Sequence, residues 1–64
     1  MKIEGVFYDI DWGSFPKGHS VFFPCLDWVT AKKEVYQEAQ RVEVAVFVRG
    51  EVHKSVKGLR LWRL

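Results

Sequence analysis

Sixty-four residues make a single domain, 1–64, near the lower size limit for folding alone, and no repeat or low-complexity linker divides it. With 48% hydrophobic and 16% aromatic residues the chain carries material for a core, which argues against disorder. A net charge of +2 with a pI near 8.9 excludes the heavily basic balance of a nucleoid-type protein.

Cys25 is the only cysteine, so no intramolecular disulfide forms, which suits a reducing compartment. No apolar run approaches the roughly 20 residues that span a bilayer. The first residues lack the charged-then-apolar pattern of a secretion signal. A cytoplasmic protein with no membrane association is expected.

The opening segment, Lys2 to about Asp9, reads as a strand. Val6, Tyr8, Ile10 and Trp12 share one parity, and Gly5 marks a bulge or the close approach of another backbone. Gly13, Pro16 and Gly18 then interrupt any long element between Trp12 and His19. A single helical turn at Gly13–Phe15 would point Trp12 and Phe15 into the core together. Ser20 to Pro24 is a short, strong strand former that Pro24 either closes or places on a sheet edge. Phe22 and Phe23 cannot face the same side, so one of them belongs to the core.

A helix is expected over Leu26–Arg41, with Asp27 or Thr30 as N-cap. Trp28, Ala31, Val35, Ala39 and Val42 recur at helical spacing and form its buried stripe, while Lys32, Lys33, Glu34, Gln37, Glu38, Gln40 and Arg41 cover the outside. No glycine stops this helix; the switch to alternating β-branched residues at Val42 does. Val42, Val44, Val46 and Val48 fall on one face of an extended strand, and Glu43, Ala45, Phe47 and Arg49 on the other. Leu59 to Leu64 alternates as well, which gives an antiparallel hairpin with Gly50 to Gly58 between its strands. The order is β-β-α-β-β: an α+β fold with one small antiparallel sheet and one helix packed on one face.

Trp12, Phe15, the run Gly18-His19-Ser20-Val21-Phe22-Phe23-Pro24, the stretch Phe47-Val48-Arg49 and the end Gly58-Leu59-Arg60-Leu61-Trp62-Arg63 together resemble small uncharacterised tailed-phage proteins. Those proteins have a Gly-x-Ser-Phe-Phe-x-Pro-like strand and a C-terminal Arg-Val-Trp-Arg-like strand. The likeness covers about residues 11–64 and departs at His19, where that pattern has an acid, and at Val21, where it has Phe. It implies a phage origin, hence a bacterial host cytoplasm, and a fold rather than an activity.

Several constellations can be weighed for chemistry. Cys25 with His19 or His53 would make a nucleophile and base, but nothing orients the base, and a lone cysteine after a strand is more often a small buried hydrophobe. Asp9, Asp11, His19 and His53 match no metal-ligand spacing, and no glycine-rich phosphate loop is present. The expectation is no enzyme, no metal and no cofactor.

The acid-free end from His53 carries Lys54, Lys57, Arg60 and Arg63 beside Trp62. Lys54, Lys57, Arg60, Trp62 and Arg63 are the candidate nucleic-acid site: cations for phosphates and an indole for stacking on unpaired bases of DNA or RNA, or a two-stranded ribbon for a major groove. The site requires Trp62 to be exposed beside Arg60 rather than buried. The competing class is a protein-binding effector that docks on a host protein through surplus aromatic residues or an unpaired edge strand, Lys2–Asp9 or Ser20–Pro24. A homodimer would also stabilise so small a domain.

Overall fold

The computed structural model describes residues 1–64. In chain order it contains β1 (Lys2–Ile3), β2 (Val6–Phe7), a 3-10 turn (Trp12–Ser14), β3 (Ser20–Pro24), α1 (Trp28–Arg41), β4 (Val46–His53) and β5 (Val56–Arg63). β3, β5 and β4 form an antiparallel sheet in that order, so the last strand of the chain is the central one. The architecture is α+β, with one helix packed against a small antiparallel sheet, as the sequence implies.

Alternation along β5 separates the two faces of this sheet. Leu59 and Leu61 are fully buried beneath α1. Leu61 lies opposite Val21 on β3 and Val48 on β4, and Leu59 lies opposite Phe23 and Gly50. The helix contributes Ala31, Val35 and Ala39, spaced four apart on one face. Two alanines on that face keep the helix axis close to the sheet. Ile3 and Cys25 complete the core. Of the two phenylalanines in β3, Phe23 is the core residue and Phe22 lies on the other face. Gly50 is needed where it stands, because a side chain there would overlap the Trp28 indole.

Both helix ends are capped, though not entirely as the sequence suggests. Asp27, not Thr30, is the N-cap: its Oδ1 accepts from the amides of Val29 and Thr30 at 3.1 and 3.2 Å, and Thr30 Oγ1 donates to Oδ2 at 2.7 Å. Leu26, expected inside the helix, precedes the cap and is exposed. At the C-terminus the chain does not pass directly into a strand. Val44 N–H donates to Ala39 O at 2.9 Å and Glu43 N–H to Gln40 O at 3.2 Å, with Glu43 at φ +58°. This is a Schellman motif with glutamate in the left-handed position that glycine usually fills. Val42 to Ala45 are consumed by it, and the strand expected from Val42 begins only at Val46.

Two further expectations change. The strand expected over Lys2–Asp9 is a miniature hairpin, β1 against β2, which forms its own sheet. Its turn is Glu4–Gly5, at φ +49° and +83°, so Gly5 supplies a reversal and not a bulge. Gly50 to Gly58 is not a loop: β4 and β5 continue through it to a two-residue turn at Lys54–Ser55, at φ +49° and +66°. The period-2 pattern is hidden there because glycine, glutamate and lysine stand in the strands.

The Schellman position generates a stability prediction. Glu43→Gly relieves a left-handed backbone conformation that costs an L-residue about 1–2 kcal/mol, partly offset by the greater freedom of glycine in the unfolded chain. The expected net gain is about 0.5–1 kcal/mol by chemical denaturation. Leu61→Ala, on the buried face of the central strand, should lose about 2–5 kcal/mol in the same measurement.

Candidate nucleic-acid interface

The face of the sheet turned away from α1 carries no covering element, and alternation decides what stands on it. β5 contributes Gly58, Arg60 and Trp62; β3 contributes Ser20 and Phe22; β4 contributes Phe47, Arg49, Glu51 and His53. Trp62 lies on this face, half-buried, on the same side of β5 as Arg60. It stands opposite Phe47, with their ring centroids 5.6 Å apart, and the Arg49 guanidinium sits over its ring at 5.4 Å.

These side chains form a continuous belt across the three strands. From the Phe47–Trp62 pair the contacts run through Arg49 to Glu51, with Arg49 Nη2 at 3.6 Å from Oε1. Arg60 Nε donates to Glu51 Oε2 at 2.6 Å, and Arg60 Nη1 donates to Ser20 Oγ at 3.0 Å, which ties the central strand to both neighbours. The Arg60 guanidinium also lies 5.5 Å from the centroid of Phe22. Phe22 reaches over Gly58, where any side chain would overlap its ring, to meet His53 at 5.6 Å.

The hydrogen bond from Arg60 holds the Glu51 carboxyl below its ordinary range. The charges of Arg60, Arg49 and His53 act in the same direction, and burial acts against them. Arg60 therefore has its charge matched within the protein. Arg49, whose side chain is 62% exposed, is the freer cation of the belt.

The five residues singled out from the sequence do not form one surface. Arg60 and Trp62 share the uncovered face. Lys54 sits at the exposed tip of the β4–β5 turn. Lys57 has the opposite parity, and its Nζ lies over the Trp28 ring at 4.9 Å, on the helix side. Arg63 also faces the helix side: its Nη1 donates to the carbonyls of Trp12 and Phe15 at 2.6 and 2.7 Å. Its Nε is buried without a partner. Those two bonds fasten the 3-10 turn, with Trp12 and Phe15 stacked at 5.9 Å, to the end of the central strand. Arg63 is thus committed to the fold and is not turned toward a phosphate.

Phe22, Phe47 and Arg49 also belong to the uncovered face, beyond the site residues the sequence singles out. Their alternation was visible in the sequence, but the register that sets them beside Trp62 was not.

The other candidate groups are dispersed. Cys25 is buried, and burial, followed by the charge of Glu4, pushes its thiol above the ordinary value, with Lys57 acting in the other direction. A thiol so held is a poor nucleophile. Asp9, Asp11 and His19 line one open groove of about 460 Å³ between the N-terminal segment and β3. His53 stands against Phe22, away from that groove. No three His, Cys, Asp or Glu side chains are arranged to hold a metal ion. No helix is long and apolar enough to cross a membrane.

Two measurements follow from this geometry. Arg63→Ala should cost about 1–3 kcal/mol in chemical denaturation, because it orphans two carbonyls in a part-buried setting. Glu51, Glu38 and Asp27 all have lowered carboxyl values through hydrogen bonds, first from Arg60, from Arg41 and from Thr30 respectively. Their contribution is therefore complete above the unfolded carboxylate range, near pH 4, and is lost as pH falls through the lower folded values. Thermal melts should hold steady from neutral pH to about pH 5 and decline below it, and Glu51→Gln should make that acid decline shallower. No protein-family model, no curated protein and no solved structure matches this chain.

Proposed function

We propose that the chain is a non-enzymatic phage accessory protein that binds single-stranded nucleic acid on the uncovered face of its three-stranded sheet. The observation that carries this reading is the placement of Phe22, Phe47 and Trp62 on one face, with Arg49 and Arg60 between them. Aromatic rings on a flat strand surface stack on unpaired bases of any sequence, and interleaved guanidinium groups meet the phosphates or add cation–π contact. Lys54 at the hairpin tip extends the positive charge along the direction of the strands. A sheet platform suits splayed single strands better than a duplex, whose bases offer no exposed faces to stack on.

A second reading rests on Glu51. By pairing with Arg60 it lowers the net positive charge of the face, which suits an aromatic docking surface for a host protein more than a phosphate track. The two readings separate in one experiment with labelled single-stranded DNA and RNA oligonucleotides titrated at several salt concentrations. The nucleic-acid reading expects affinity to fall linearly on a log–log plot, with a slope near −0.7 per phosphate neutralised. It also expects Trp62→Ala to lose about 1–3 kcal/mol of binding, and Arg49→Ala to flatten the salt dependence. Lack of binding at low salt, or binding indifferent to Trp62, would sink it. A stoichiometric host partner that survives nuclease treatment and is lost in Trp62→Ala would then support the docking reading.

A further inference from the structure

The two edges of the three-stranded sheet are not equivalent. β3 is five residues long and ends in Pro24, which has no amide to offer. β4 spans the eight residues Val46–His53, contains no proline and no lysine, and pairs only with β5. Such an edge presents a row of open amides and carbonyls that proteins ordinarily blunt. On β4 exposed apolar side chains, Val52 at 64% and Phe47 at 49%, flank the exposed Arg49. The edges expected from the sequence were Lys2–Asp9 and Ser20–Pro24; the first belongs to the separate β1–β2 ribbon, and the free edge opposite β3 is β4.

The hydrogen-bond phase of β4 follows from its pairing with β5. A two-residue turn makes His53–Val56 a hydrogen-bonded pair, and Leu64 N–H donates to Ala45 O at 3.0 Å at the other end. Phe47, Arg49 and Glu51 therefore direct their backbone groups to β5, while Val46, Val48, Gly50 and Val52 direct theirs outward.

We propose that β4 is a self-recognition edge: it pairs antiparallel with β4 of a second copy of this chain about a two-fold axis at Gly50, joining the two sheets into one. Side-chain charge selects this register among those the outward amides allow. An axis at Gly50 sets Arg49 of each copy opposite Glu51 of the other, in the non-hydrogen-bonded pairs where side chains approach most closely. It sets Phe47 opposite His53 on the same face, and Val48 opposite Val52 on the helix side. Moving the axis to Arg49 would instead oppose the two arginines, which is repulsive. Glu51 can serve two arginines: Arg60 of its own chain engages Oε2, and Oε1 has only the distant Arg49 contact at 3.6 Å. In the dimer the two uncovered faces are continuous across the axis. The pairing itself needs no nucleic acid and stands apart from the function proposed above.

The experiment is light scattering after gel filtration, in the absence of nucleic acid, over a range of protein concentration. Wild type should approach twice the chain mass as concentration rises. Arg49→Glu alone and Glu51→Arg alone should each run at single-chain mass, because each opposes like charges across the axis. Mixed in equal amounts, they should recover the double mass as a heterodimer. Amide exchange supplies an independent readout that needs no variant: protection of Val48, Gly50 and Val52 should rise with concentration, while that of Phe47, Arg49 and Glu51 stays constant. Val52→Pro, which removes an outward amide at an exposed position, should abolish the double mass and keep the circular-dichroism spectrum. Single-chain mass for wild type up to its solubility limit would overturn the proposal. So would a double mass that persists in both charge variants, or outward amides indifferent to concentration.

Discussion

Pairing of β5 on both edges gives this protein its two faces at once. A central strand must satisfy a neighbour on each side, so its register fixes which residues of β3 and β4 stand beside each of its own. Leu59 and Leu61 carry the hydrophobic effect into the helix side, and Arg60 and Trp62 are necessarily left on the other. A one-residue slip would exchange the two sets, burying a guanidinium under α1 and exposing two leucines. The core and the candidate interface therefore depend on the same alternation.

The N-terminal third has little regular structure, and side-chain ties add to the few backbone bonds, Gly18 and His19 to Arg63 among them, that hold it in place. Glu4, at the turn of the β1–β2 hairpin, reaches the amides of Leu26 and Asp27 at 2.6 and 2.8 Å. It satisfies donors just ahead of the helix, where a negative charge also suits the dipole. Arg63 does the corresponding work at the opposite end by binding the carbonyls of Trp12 and Phe15. Tyr8 packs edge-on against Phe23, with centroids 4.8 Å apart, and brings the segment after β2 onto the core. A small core leaves each of these ties a large share of the stability.

The uncovered face combines aromatic area with charge that is largely matched internally. Arg60 spans the sheet from Glu51 to Ser20, so it stiffens the platform as much as it charges it. Arg49 is the freer cation, its guanidinium exposed over Trp62 and 3.6 Å from Glu51. Both proposals draw on that freedom, one through the open face and the other through the edge of β4.

The element types were readable from local pattern because each is a local matter: helical spacing from Trp28 to Ala39, alternation in Leu59–Trp62, a cap at Asp27. The α+β class and the division of Phe22 from Phe23 follow from the same periodicities. At three places local backbone chemistry outranks pattern. Glu43 in a left-handed Schellman position ended the helix and removed Val42 and Val44 from the strand. Glu4–Gly5 reversed the chain inside an apparent strand. Lys54–Ser55 made a tight turn without the usual glycine or asparagine, so strand residues from Gly50 to Gly58 passed for a loop. The sequence by itself determined the periods, helical from Trp28 to Ala39 and alternating from Leu59 to Trp62, and the cap at Asp27. Only the tertiary structure decided that β5 is central, that Arg63 and Lys57 face the helix side while Arg60 and Trp62 do not, and that Phe22, Phe47 and Arg49 stand beside them. Those decisions rest on strand order and register, which are set by long-range pairing and by the packing of α1 on one face, and no local window of sequence contains either.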